Sequence, residues 1–177
     1  MRSPLRLRSA TVLALVLGIS APALAQNSTT FNVRMAVTSA CDVAAAAATD
    51  VDFGTVASTA TTPALAQGTV TAQCSALTAY TIALDAGSNA ATAGDVTTRR
   101  MRHTDATVTT NNLIGYQLFQ DAARTSVWGA TTNTDTVGSN GTGAPQAFNV
   151  YGQVLDPSAN NAAAGTYLDT VTATITY

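Results

Sequence analysis

The apolar residues of this chain recur with period two, and that one feature excludes a helical fold. Residues 166–177, TYLDTVTATITY, set Val171, Ala173, Ile175 and Tyr177 on one side and Thr170, Thr172, Thr174 and Thr176 on the other. Residues 29–41, TTFNVRMAVTSAC, repeat the pattern with Phe31, Val33, Met35 and Val37 against Asn32, Arg34, Ala36 and Thr38. Such alternation belongs to a β-strand with one buried face. The only helix-like run, AAAAATD at 44–50, has no amphipathic face and reads as a loop. Composition agrees: Thr and Val favour strands, while Asn, Asp and Gly favour turns.

The first residues read as an address. Arg2, Arg6 and Arg8 precede the apolar run ATVLALVLGI at 10–19, which is too short to span a bilayer. Ala23-Leu24-Ala25 then supplies a small-x-small cleavage pattern. Residues 1–25 are therefore expected to be a secretory signal peptide, with the mature chain starting at Gln26 and exported through the periplasm. The whole chain has eight Arg, ten Asp, no Lys and no Glu. Without the three leader arginines, five Arg face ten Asp, a net charge of about −5. A nucleic-acid footprint is thereby excluded.

Cys41 and Cys74 are the only cysteines, and in an oxidising compartment they are expected to form one disulfide. Closing that loop removes about 3–4 kcal/mol of unfolded-chain entropy. A metal pair is the alternative, but two thiols and one distant histidine do not make a zinc site. No metal or other cofactor is expected.

Strands are expected at 51–56, 68–74, 80–87, 113–121, 125–129, 147–155 and 166–177. Between them lie an irregular stretch at 88–112, a Thr/Asn/Gly-rich loop at 131–145 and a turn-rich connection at 156–165. Seven or eight short strands joined by polar loops predict a β-sandwich. The two ends then form a matched pair of oddities. The alternating strand at 29–41 has no hairpin before it, and that at 166–177 has nothing local to pair with, although unpaired edges invite association.

Read in order, FNVRMAVTSACDV, VDFGTV, GTVTAQCS, YTIALDAG, RRM, IGYQLFQDAARTSVWG, GTGAPQAFNVYGQV and AAGTYLDTVTATITY resemble the spore coat protein U domain family across essentially the whole mature chain. That family is similar to subunits of archaic (Csu-type) chaperone–usher pili. The resemblance implies an incomplete immunoglobulin-like β-sandwich lacking its final strand, which a neighbour's N-terminal extension completes by donor-strand complementation. Carried onto this chain, it implies a donor extension at 26–37, with Phe31, Val33, Met35 and Val37 as groove-filling residues, and a sandwich domain at 38–177. Val171, Ala173, Ile175 and Tyr177 would flank the groove, and Cys41–Cys74 would join the first two strands. The implied partners are copies of the chain or related subunits, a periplasmic chaperone and an outer-membrane usher. The implied role is a surface pilus serving adhesion and biofilm formation.

Other readings of single motifs are blander. Arg99, Arg100, Arg102 and His103 are expected on a solvated face, and Asp50 and Asp52 as turn and edge carboxylates rather than calcium ligands. Trp128, Tyr116, Phe119 and Tyr151 are expected in the core or between subunits rather than on a sugar-stacking platform. With no Glu and no nucleophile elbow, neither an enzyme nor a small-molecule substrate is expected. Two alternatives share the sandwich: a spore-coat-like surface layer protein, and a monomeric carbohydrate-binding module.

Overall fold

In the computed structural model, the structure describes residues 29–42 and 49–177. The expected leader at 1–25, the start of the donor segment at 26–28 and most of the alanine-rich loop (43–48) lie outside the described residues. The chain divides into two units, Met1–Ala36 and Val37–Tyr177. In the first, residues 29–36 are exposed and form no strand. The strand expected over 29–41 thus survives only at Cys41. Alternation makes a strand only where a second strand supplies the other half of the ladder; Ala40 still accepts from the Ser75 N–H at 2.9 Å, but residues 29–39 join no ladder among the described residues.

The second unit is all-β. Its strands are β1 (Cys41–Asp42), β2 (Ala64–Cys74), β3 (Ala79–Leu84), β4 (Arg100–His103), β5 (Leu113–Gly115), β6 (Gln117–Phe119), β7 (Val137–Asn140), β8 (Gln146–Val154), β9 (Tyr167–Leu168) and β10 (Ala173–Thr176). They form three sheets ordered β1-β2-β8-β6, β10-β3-β7 and β5-β4-β9. Every paired neighbour is antiparallel. The long β2–β8 ladder runs from Ala64 opposite Val154 to Ala72 opposite Gln146.

Period two decides which side chains meet. Val70, Ala72 and Cys74 of β2, and Val150 of β8, turn toward Tyr80, Ile82 and Leu84 of β3, with Leu118 and Trp128 joining the same buried cluster. The β1-β2-β8-β6 and β10-β3-β7 sheets therefore face each other across one core, a β-sandwich. Trp128 is buried and donates its indole N–H to the Ile82 carbonyl at 2.9 Å, so it belongs to the core and not to an exposed platform. The Cys41–Cys74 disulfide is present and fastens β1 to the end of β2.

Several expected strands are rearranged. The segment 113–121 breaks at Tyr116, whose N–H goes to the Arg99 carbonyl as the chain leaves β4 for β8. The segment 166–177 splits likewise, β9 pairing with β4 and β10 with β3. β7 arises inside the expected loop at 131–145, because the exposed edge of β3 offers it a ladder that turn-prone composition does not forbid. Residues 51–56 form no strand, and Thr49 alone bridges to Thr69; 125–129 likewise make one bridge, Val127 to Phe119.

Candidate functional site: an apolar groove between the sheets

Two cavities of about 580 and 430 Å³ open on the sandwich and adjoin at Val51, Asp52, Phe53, Met101 and Tyr167, and together they are called the groove. Its floor comes from the inner faces of β2, β8, β3 and β6, with Val70, Val150, Leu84 and Leu118. One side is the stretch of residues 49–58, and another runs from Tyr167 to Ala173.

Two glycines bring the first of these sides in. A Cβ on Gly68 would strike the Thr49 carbonyl and the Val51 side chain, and one on Gly152 would strike Val51 and Phe53. Residues 49–53 therefore lie directly on the β2–β8 floor, which any larger residue at either position would prevent. Val51 and Phe53 are half-buried while Asp50 and Asp52 remain exposed.

The other side is held by a polar knot. The Asp169 carboxylate accepts from the Asn89 backbone N–H at 3.1 Å, from Asn89 Nδ2 at 2.9 Å and from the Tyr116 hydroxyl at 2.6 Å. Burial first, then the bond to Asp169, pushes the Tyr116 phenol well above its ordinary range. Asp85 Oδ1 accepts from the N–H groups of Gly87 and Thr172, tying the turn after β3 to the approach of β10.

Arg99 corrects the expectation of a solvated basic face: it is only 1% exposed. Its guanidinium donates to the Leu84 carbonyl at 2.9 Å, to the Asp85 carbonyl at 2.9 and 2.6 Å, and to Gln117 Oε1 at 2.7 Å. Desolvation pulls its pKa down, and Tyr116, Asp85, Asp135 and Asp169 pull it back. Five rigid donors on one planar head suit this task, because the carbonyls at the end of β3 would otherwise be buried beside apolar neighbours. Every buried side-chain nitrogen and oxygen among the described residues has a partner.

The groove-flanking residues named from the sequence separate here. Val171 and Ala173 line the 430 Å³ cavity, Ile175 packs against the core, and Tyr177 is exposed. Phe31, Val33, Met35 and Val37 are all exposed, at 77–86%. Sequence reasoning missed Val51, Phe53, Met101 and Tyr167 as groove residues; the alternation in DVDF at 50–53 was the one available signal. Among the described residues no group of three or more His, Cys, Asp or Glu could hold a metal ion. No helix among them is long and apolar enough to cross a membrane. The groove is chemically suited to an extended apolar segment.

The family profile described as Spore Coat Protein U domain matches residues 27–174. A similar protein is Protein U of Myxococcus xanthus, 38% identical over 116 residues, which is 62% of this chain and 59% of that protein. The chain thus spans about three-fifths of the curated relative it matches. Among solved structures, the crystal structure of the CsuC–CsuE chaperone–tip adhesion subunit pre-assembly complex, from the archaic chaperone–usher Csu pili of Acinetobacter baumannii, holds a chain that is similar at 23% identity. The match has a TM-score of 0.48 and covers 64% of this chain and 34% of that one.

Proposed function

This chain belongs to the Spore Coat Protein U domain family, and from that premise we propose that it is a structural subunit of a secreted surface pilus, polymerised by donor-strand exchange. The observation that carries the reading is a pairing of two features in one chain. The sandwich has an open groove lined by Val51, Phe53, Val70, Leu118 and Val150. Residues 29–37 offer Phe31, Val33, Met35 and Val37 on one side, all exposed. Each feature is the complement of the other.

Burying three or four such side chains is worth about 1.5–3 kcal/mol each before entropy losses. Main-chain hydrogen bonds along an inserted strand add to it, as in other β-augmentation contacts. If the segment of one copy fills the groove of the next, the contact is head-to-tail and does not close, so it builds a filament. A copy without a donor exposes its groove, which explains a need for a periplasmic chaperone to occupy it and for an outer-membrane usher to catalyse the exchange. On this reading residues 26–37 are the donor extension and 38–177 the acceptor domain. The subunit belongs to the shaft, leaves the cell through the periplasm, and serves adhesion and biofilm formation. It acts by completing a fold in trans, without catalysis.

The test compares the mature protein with a form starting at Ala36, each co-expressed with its chaperone and usher and scored for filaments by electron microscopy. The full form is expected to make filaments and the shortened form to stop as a chaperone-bound unit. Assembly by the shortened form, or a stable monomer from the full one, rejects the reading in favour of a self-contained binding module. Sheets instead of filaments favour a surface layer.

A further inference from the structure

We propose that Arg34 of the incoming segment pairs with Asp50 and Asp52 on the rim of the groove, and that this charge match sets the register of each subunit on the next. The inference rests on the donor-strand reading above and adds to it a determinant that apolar side chains alone do not supply.

The residues lining the groove include Asp50, Asp52 and Asp169 and no Arg, Lys or His. Asp169 is committed to Asn89 and Tyr116. Asp50 and Asp52 are exposed, with one oxygen of Asp52 accepting from the Gly54 N–H at 2.8 Å. Within residues 29–40 the only charged side chain is Arg34. The groove rim thus presents two available negative charges, and the segment carries one positive charge.

Their faces agree as well. In residues 50–53 the half-buried Val51 and Phe53 alternate with the exposed Asp50 and Asp52. In residues 31–37 the apolar side holds Phe31, Val33 and Met35, and Arg34 stands on the other. A segment laid beside 50–53 with its apolar side inward therefore brings Arg34 to the face that carries both aspartates, in either strand direction. Opposite them the outward residues Thr170, Thr172 and Thr174 are uncharged and exposed.

Apolar alternation forbids a slip of one residue, which would turn Arg34 into the groove. It does not forbid a slip of two, since Phe31, Val33, Met35 and Val37 are interchangeable fillers. A two-residue slip moves Arg34 by about 7 Å along the strand and loses at least one of the two carboxylates. Charge discriminates where hydrophobicity cannot, and it steers the approach of the segment from a distance.

The test uses the full mature chain, co-expressed with its chaperone and usher, with filament yield measured by electron microscopy and by ladders on gels. Arg34→Asp is expected to lower the yield at least tenfold, Arg34→Lys to leave it within twofold of the native level, and the triple variant Arg34→Asp, Asp50→Arg, Asp52→Arg to restore it. Because Arg34 lies in an exposed segment, Arg34→Asp leaves the sandwich fold intact. Native yield from Arg34→Asp overturns the proposal, as does equal loss from Arg34→Lys. Failure of the triple variant to recover overturns the assignment to Asp50 and Asp52. Val33→Asp separates the two levels: if it also assembles normally, the donor-strand reading itself has failed, whereas if it alone abolishes filaments, only the charge match has.

Discussion

The two sides of the sandwich are built differently. Where β2 and β8 pair, the ladder is continuous from Ala64 to Ala72, and its inner residues meet β3 in the buried core that also floors the groove. Around the groove the chain pairs in fragments: β9 is two residues long, residues 51–56 form no strand, and β4 and β5 pair over three positions. The first side is held by hydrophobic burial and backbone ladders. The second relies on single polar anchors, Arg99 and Asp169, where ladders are missing. On the proposed donor-strand reading, this unfinished side is the one to which another strand is added, with Arg99 and Asp169 setting its shape.

If that division of labour is right, the largest effect comes from the anchor joining both sides. Arg99→Leu roughly keeps volume but removes the guanidinium bonds to the Leu84 and Asp85 carbonyls and leaves Gln117 Oε1 with only the Leu118 N–H. The expected cost is about 3–5 kcal/mol, read as a lower urea midpoint of the purified protein at unchanged slope. Replacing Cys41 and Cys74 together by Ser tests the ladder side. It reopens a link between residues 33 apart in sequence, and the expected loss is about 2–4 kcal/mol. A larger effect from the cysteines than from Arg99 would show that the fragmentary side contributes less than its hydrogen bonds suggest.

The same division governs what could be read in advance. The inner faces of β2, β3, β8 and β10 follow from alternation, because burial repeats every second residue in each, save for Thr71 of β2, which is buried as well. The disulfide follows from two cysteines and the expected export signal. The floor contact of Val51 and Phe53 did not, since it depends on Gly68 and Gly152, far away in sequence and visible only once β2 and β8 are paired. Arg99 was misread because its partners are largely backbone carbonyls, which carry no side-chain signature. β7 was hidden by turn-prone Gly138, Ser139 and Asn140, whose pairing is decided by β3 rather than by their own propensity.

Gly152→Ala sharpens the comparison by acting where the two sides touch. The added methyl lies inside contact distance of Val51 and Phe53, so the strap must lift from the floor or the ladder must shift. The expected cost is about 1–3 kcal/mol. Gly143→Ala is the contrast, a substitution into open space at a positive φ of 81°, with an expected cost of about 1 kcal/mol from backbone strain alone. Equal losses, measured by urea unfolding, would mean that residues 49–53 rest on the floor without being held there.

The last effect is the most specific, because part of it appears only in alkali. Tyr116 is half-buried and its phenol is raised above its usual value by burial and by the bond to Asp169. In the unfolded chain the same phenol ionises near pH 10. The folded protein keeps a proton that the unfolded chain gives up, so this contribution to stability is complete below about pH 10 and falls as the pH climbs beyond it. The chain has no Lys, and both cysteines are oxidised, so tyrosines alone among its side chains change charge there until Arg begins to titrate. Tyr116→Phe should cost about 1–2 kcal/mol at neutral pH and flatten the alkaline decline of the unfolding midpoint. Tyr167 is also raised by burial, but its hydroxyl donates to carbonyls of Asn111 and Ala163 and not to a carboxylate. Tyr167→Phe should therefore leave most of the alkaline slope in place, and a slope that follows Tyr167 instead would move the anchor of the groove from Asp169 to the turn at Ala163.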